Sequence, residues 1–221
     1  KNNGESLSSS SVSCYFNKFR APLKQAVKDK IILYNPSVDV KIPKEKEREY
    51  LSIEELKQLE KVECRYEVLK RAFLFSCLTG LRWSDIHKLK WKEVYFTNKI
   101  GRVHYYQQKT KNLEYLDISE EALSYLGEKS NGENKPFEGL KYSSYFNVAL
   151  TQWMLKAGIT KHITFHCARH THATLLLTNG VDIYTVSKLL GHKEIKTTQI
   201  YARIIDEKKK EAVNKIPSIK L

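Results

Sequence analysis

Three side chains in the C-terminal half could act together on an anion. In Thr164-Phe165-His166-Cys167-Ala168-Arg169-His170-Thr171-His172-Ala173-Thr174, the residues His166, Arg169 and His170 stand at i, i+3 and i+4 and so share one face of a helix. One such histidine is more often a satisfied core or solvated residue, but a guanidinium and two imidazoles turned the same way need an anion or a functional reason. His166 and His170 also have the spacing of two zinc ligands on a helix, with His162 and Cys167 close by. Against zinc, Cys167 stands where a metalloprotease helix carries its general-base Glu, and Arg169 would set a fixed positive charge beside the cation. A second constellation runs from Lys188 to Arg203, where His192 follows Gly191 and Tyr201 comes one short helix later. A phenol, with an ordinary pKa near about 10, is a poor nucleophile until it is deprotonated, so a cationic pocket is its expected activator.

These groups need elements to hold them. Ser52 with Glu55 fits a capping box and Leu51 with Leu56 the flanking hydrophobic staple, which predicts a helix start there. Val68 to Leu78 is apolar nearly all round, predicting a buried helix that Gly80 ends, with Arg82 just past the stop. Between Trp91 and Ser119 the pattern shifts to alternation (Tyr95, Val103, Tyr105, Tyr115, Ile118), broken at 98–101 and 109–112, which predicts an antiparallel meander of three strands. Helices are then expected at Ser119–Lys129, at Tyr142–Ala157 before Gly158, at Thr164–Asn179 before Gly180, and at Asp182–Leu190 before Gly191. Two more follow, at about Ile195–Ile204 and Asp206–Lys215. Upstream, Phe16, Phe19, Leu23, Val27 and Ile31 mark one helical face, which Pro22 should start, kink or divide. Asn35 to Tyr50, with Pro36, Pro43 and a dense charge run from Lys44 to Glu49, has the composition of a linker. The fold class expected is mainly α with one small three-stranded antiparallel sheet.

Composition narrows the partners. With 38 Lys and Arg against 25 Asp and Glu, the 221-residue chain carries a formal charge of +13, which favours a polyanion such as nucleic acid. Its 41% apolar content is enough for a sizeable core. Cys14, Cys64, Cys77 and Cys167 show no paired spacing and read as reduced thiols. The longest apolar stretch, Ala72 to Leu78, is too short to span a bilayer, and no export signal is seen. The location expected is cytoplasmic and nucleoid-associated, with no membrane partner. The chain opens at Lys1 without Met, so it reads as a piece whose upstream part is left out.

Four motifs together carry a resemblance. Thr79-Gly80-Leu81-Arg82-Trp83-Ser84-Asp85-Ile86, His166-x-x-Arg169-His170, Leu190-Gly191-His192 and Thr197-Thr198-x-x-Tyr201 occur in the order and approximate spacing of the tyrosine recombinases of the phage-integrase family. The chain resembles that family from about Leu51 to Asp206. The resemblance implies site-specific cleavage and rejoining of DNA through a 3′-phosphotyrosyl intermediate, with Tyr201 as the nucleophile. Arg82 and Arg169 would clamp the phosphate, because paired guanidinium donors meet the charge that grows on its non-bridging oxygens. His192 would add a donor, and His166 would help handle the nucleophile's proton. Lys109, in Gln107-Gln108-Lys109-Thr110-Lys111, would protonate the departing 5′ oxygen, with Lys111 as its competitor. Asp85 and His170 would support these groups from behind. Resealing draws on the phosphotyrosine bond itself, so no ATP, metal or other cofactor is implied. Cys167-Ala168 departs from the commonest pattern, in which an acidic residue often follows the histidine.

The resemblance further implies that residues 1–46 are the remnant of a helical core-binding domain plus linker, and 47–221 the catalytic domain with its C-terminal helix or tail. Partners would be double-stranded DNA, further copies of the chain (dimer to tetramer) joined through Asp206–Leu221, and accessory DNA-bending proteins. Integration or excision of a bacterial mobile element is the favoured role. Two alternatives stay open. Val181 to Tyr201 has the look of a helix-turn-helix, which would make a DNA-binding module without chemistry, and a type IB topoisomerase would share the phosphotyrosine step.

Overall fold

A computed structural model describes residues 7–42, 48–97, 100–106 and 113–201. The chain divides into two compact units, Lys1–Arg48 and Glu49–Leu221. In the first, helix α1 spans Ser9–Lys28, and the hydroxyl of Ser8 caps it by accepting from the Ser11 N–H at 3.2 Å. Pro22 lies inside α1 and does not divide it, since a proline removes one intrahelical bond from a helix of 20 residues. Arg20 donates to the carbonyls of Ser37 (2.7 Å) and Val38 (3.2 Å), which folds the following segment back onto the helix.

The second unit begins with α2 (Ile53–Lys61), whose Ser52–Glu55 capping box forms as the spacing predicts. Helix α3 (Glu67–Thr79) is the centre of the core, with eight of its residues buried, from Leu69 to Thr79. Phe73 meets Trp153 and Phe165 edge to face at 5.9 and 5.7 Å, and Phe75 packs on Phe137 at 5.2 Å. Helix α4 (Trp83–Lys88) follows after a three-residue break. Strands β1 (Val94–Thr97), β2 (Ile100–Tyr106) and β3 (Leu113–Ile118) form the antiparallel sheet in the order β1-β2-β3, paired Val94 with Val103 and Val103 with Leu116. These three side chains, with Tyr105 and Ile118, point into the core.

Helix α5 covers only Glu120–Ser124, five residues short of the expected end at Lys129. The Arg71 guanidinium takes the carbonyls of Leu126 (3.0 Å) and Pro136 (3.1 Å), and Gly127 turns back with φ +83, leaving no room to continue. Helices α6 (Ser144–Lys156), α7 (Cys167–Thr178) and α8 (Ile183–Leu189) stand where the periodicity places them. Beyond Gly191 the described residues form two 3-10 turns, Ile195–Thr197 and Gln199–Tyr201, where the first part of a helix to about Ile204 is expected; residues 202–204 lie outside the described residues. β-Branched Thr197 and Thr198 favour this tighter path, and it leaves the helix-turn-helix alternative without its second α-helix among the described residues. The helix expected at Asp206–Lys215 lies outside the described residues. Among those described, no helix is long and apolar enough to cross a membrane.

Two consequences attach to the α3–α7 contact. Gly80 ends α3 with φ +70, and a Cβ there would lie 2.7 Å from His172 Cδ2 and 3.0 Å from Leu190 Cδ2. Gly80→Ala is therefore expected to lower the unfolding free energy by about 2 kcal/mol or more, measured by urea denaturation. His172 itself is buried, donates through Nδ1 to the Cys77 carbonyl at 3.2 Å, and has its pKa pushed down to about 4, first by burial and further by the Arg169 charge. Between about pH 6.5 and about 4 the unfolded chain takes up a proton that the folded one refuses, so this residue withdraws stability as pH falls through that window. The stability advantage of wild type over His172→Asn should shrink steadily on acidification from pH about 7 to about 4, followed by denaturation at each pH.

Candidate active site

The site is assembled around one buried cation. Arg169, on the first turn of α7, is 5% exposed and donates from Nη1 to the Gly80 carbonyl at 2.7 Å and from Nη2 to the Leu190 carbonyl. Both acceptors sit at helix ends, where carbonyls lack intrahelical partners and the helix dipole is negative. The guanidinium thereby joins the end of α3, which leads to Arg82, to the end of α8, which leads to His192. Its pKa is lowered to about 10, first by burial and next by the charge of Arg82, and Tyr105, Tyr201 and Asp85 pull the other way.

Arg82 is the N-cap of α4, and its Nη1 lies 3.9 Å from Oδ2 of Asp85, whose side chain is 1% exposed. The two residues are one helical turn apart, and at this separation the attraction is between charges and not a hydrogen bond. Gly191, with φ +60, lets its own N–H reach the Lys188 carbonyl at 2.8 Å and the His192 N–H reach the Ser187 carbonyl at 3.0 Å. That turn presents the His192 ring, and its Nδ1 is 2.8 Å from Oγ1 of Thr198, which is fully buried.

The Tyr201 hydroxyl lies 2.5 Å from Nδ1 of His170. Tyr201 is 5% exposed and His170 7%, so this contact is shielded from solvent. This hydrogen bond is made by His170, one helical turn along from His166, the residue expected to help handle the phenolic proton. The two imidazoles meet edge to face at 4.9 Å, with His166 exposed at the N-cap of α7 and His170 one turn inside. Among the described residues, no third His, Cys, Asp or Glu completes a metal-ligand set with them.

A cleft of about 640 Å³ opens beside this cluster, and Arg82, Arg169 and His166 line it. Tyr201 is not among its lining residues. Arg82, Asp85, His166, Arg169, His170, His192 and Tyr201 are thus brought into one region from elements that begin and end more than 100 residues apart. Lys109 and its competitor Lys111 fall between β2 and β3, outside the described residues. Sequence reasoning overlooked Thr198 as the partner of His192 and the direct His170 contact. The Thr197-Thr198 pair and the His166–His170 spacing were the available signals, but neither reveals which hydroxyl each ring meets.

With this geometry in place, residues 49–208 match the phage integrase family. A tyrosine recombinase XerA of Saccharolobus solfataricus is 34% identical over 178 residues, covering 77% of this chain and 58% of that protein, so the chain spans little more than half of that relative's length. The crystal structure of a XerA recombinase superposes with a TM-score of 0.60 at 22% identity, covering 99% of this chain and 86% of that one. The Tn1549 transposon integrase, solved in complex with circular intermediate DNA, gives 0.66 at 19% identity over 88% of this chain and 75% of that one. Both share this fold.

Lysine cannot satisfy two carbonyls on divergent elements with one fixed planar fork. Arg169→Lys is expected to lower the unfolding free energy by about 2–4 kcal/mol by leaving at least one buried carbonyl unpaired, measured by chemical denaturation.

Proposed function

Because this chain belongs to the phage integrase family, we propose that it cuts and rejoins DNA strands at specific sites through a covalent 3′-phosphotyrosyl link to Tyr201. The observation that carries the reading is the pairing of two arginines on one cleft with a buried tyrosine hydroxyl already hydrogen-bonded to a histidine. Arg82 and Arg169 meet the charge that develops on the non-bridging oxygens, and His192, oriented by Thr198, adds a donor. Nδ1 of His170 receives the phenolic proton, and His166 stands next to it for onward transfer. The Tyr201 oxygen bonds to phosphorus, the bond from phosphorus to the 5′ oxygen breaks, and that oxygen takes a proton from Lys109. A free 5′-hydroxyl on another strand reverses these steps and releases the tyrosine, so no external energy source enters. Tyr201 is buried, so on this reading its hydroxyl turns toward the clamped phosphate for the attack.

The same reading extends to the whole chain. Residues 1–46 are the end of a core-binding domain with its linker, and 47–221 the catalytic domain. The partner is duplex DNA, in keeping with the +13 charge. Asp206–Leu221 joins one copy to the next on that DNA, within the nucleoid, and the reaction integrates or excises a mobile element.

Nicked suicide duplexes tiled across the DNA on either side of the coding sequence test this. One of them should yield a protein–DNA adduct that survives denaturation, absent from Tyr201→Phe and reduced about 100-fold or more in rate by Arg169→Lys. An adduct retained by Tyr201→Phe would remove the nucleophile, and no adduct from any duplex would remove the reaction.

A further inference from the structure

The cleft beside the two arginines is much larger than a phosphate group needs. Its volume of about 640 Å³ falls within the range of sites that enclose a whole small ligand. Cationic side chains form only part of its wall, and Trp83, Tyr142, Asn147 and Thr151 are among the other residues that line it.

Trp83 directly follows Arg82 and opens α4, so clamp and indole share one backbone turn. The indole is supported: His87, one turn on, stacks against it at 4.6 Å and 11°, and His87 Nδ1 is in turn 3.0 Å from the Leu140 carbonyl. Tyr142 meets the indole at 5.3 Å and 67°. The His87 stack takes one face of the indole and fixes the ring before any ligand arrives, so that a stacking partner meets its other face. Trp83 is half-buried, whereas Trp91 and Trp153 are 4% and 1% exposed. Asn147 and Thr151 stand one turn apart on α6 and add an amide and a hydroxyl oxygen to the same wall. An aromatic plane with nearby amide and hydroxyl groups matches a nucleobase, which has a π-face and a polar edge.

We propose that this part of the cleft is a nucleoside chamber, in which an unstacked base next to the clamped phosphate lies on Trp83 with its edge toward Asn147. The proposal builds on the DNA-cleavage reading above. A base still paired and stacked in a duplex cannot enter, so the chamber selects single-stranded or displaced nucleotides at the cleavage point.

The test compares a short labelled oligothymidylate with an abasic sugar-phosphate strand of equal length, binding to the full chain being followed by fluorescence anisotropy. Wild type should prefer the base-bearing strand by about 5- to 100-fold. Trp83→Leu should bind both alike, and Trp83→Phe, which keeps an aromatic plane, should retain most of the preference. In wild type, tryptophan emission should be quenched by oligothymidylate and not by the abasic strand, a readout that needs no variant. Equal binding of the two strands by wild type, unquenched emission, or a preference that survives Trp83→Leu would each overturn the chamber. The adduct assay with Tyr201→Phe reads cleavage and no stacking, so the two readings can fail separately.

Discussion

A buried guanidinium is the constraint on which the rest of this structure depends. Removing a charge from water costs several kcal/mol unless its donors are met, and Arg169 meets that cost with the carbonyls of Gly80 and Leu190. Those two carbonyls end α3 and α8, the elements that lead into Arg82 and His192. One side chain therefore sets the spacing between the first and the third motif, which are about 110 residues apart in sequence. The same interaction keeps a positive charge at the floor of a cleft, where the low dielectric strengthens its pull on an anion.

Stability and chemistry draw on the same few atoms. Gly80 must lack a side chain because His172 and Leu190 close over it, and that closeness is what brings its carbonyl within reach of Arg169. His172 stays neutral first because burial penalises its charged form and further because Arg169 is already charged beside it, and its Nδ1 fastens α7 to the Cys77 carbonyl of α3. The α3–α7 contact is thus at once the centre of the fold and the mount of the clamp. The nucleophile is treated differently. Tyr201 lies in a 3-10 turn, an element with weaker hydrogen bonding than an α-helix, and its hydroxyl meets the His170 imidazole.

The helices that carry the motifs were legible because their signals are local. The capping box of Ser52 and Glu55, the apolar run that became α3, and glycines after α3, α6, α7 and α8 each act within a few residues. Local rules failed where a distant group intervened. Arg71 ties the carbonyls of Leu126 and Pro136 together beyond α5, and the buried Thr198 hydroxyl, bonded to His192, accompanies a path that leaves α-helical geometry.

By itself the sequence determined the residue types of the site, their order, the mainly α fold with its three-stranded sheet, and membership of a family, because each depends on neighbours along the chain or on motif order. Tertiary structure alone decided which imidazole meets the Tyr201 hydroxyl, which carbonyls hold Arg169, and that an aromatic wall continues from the clamp. His166 and His170 are indistinguishable by spacing, as both lie on the face that carries Arg169. Only burial separates them: α7 begins at Cys167, so His166 is left at the exposed cap while His170 turns inward to Tyr201.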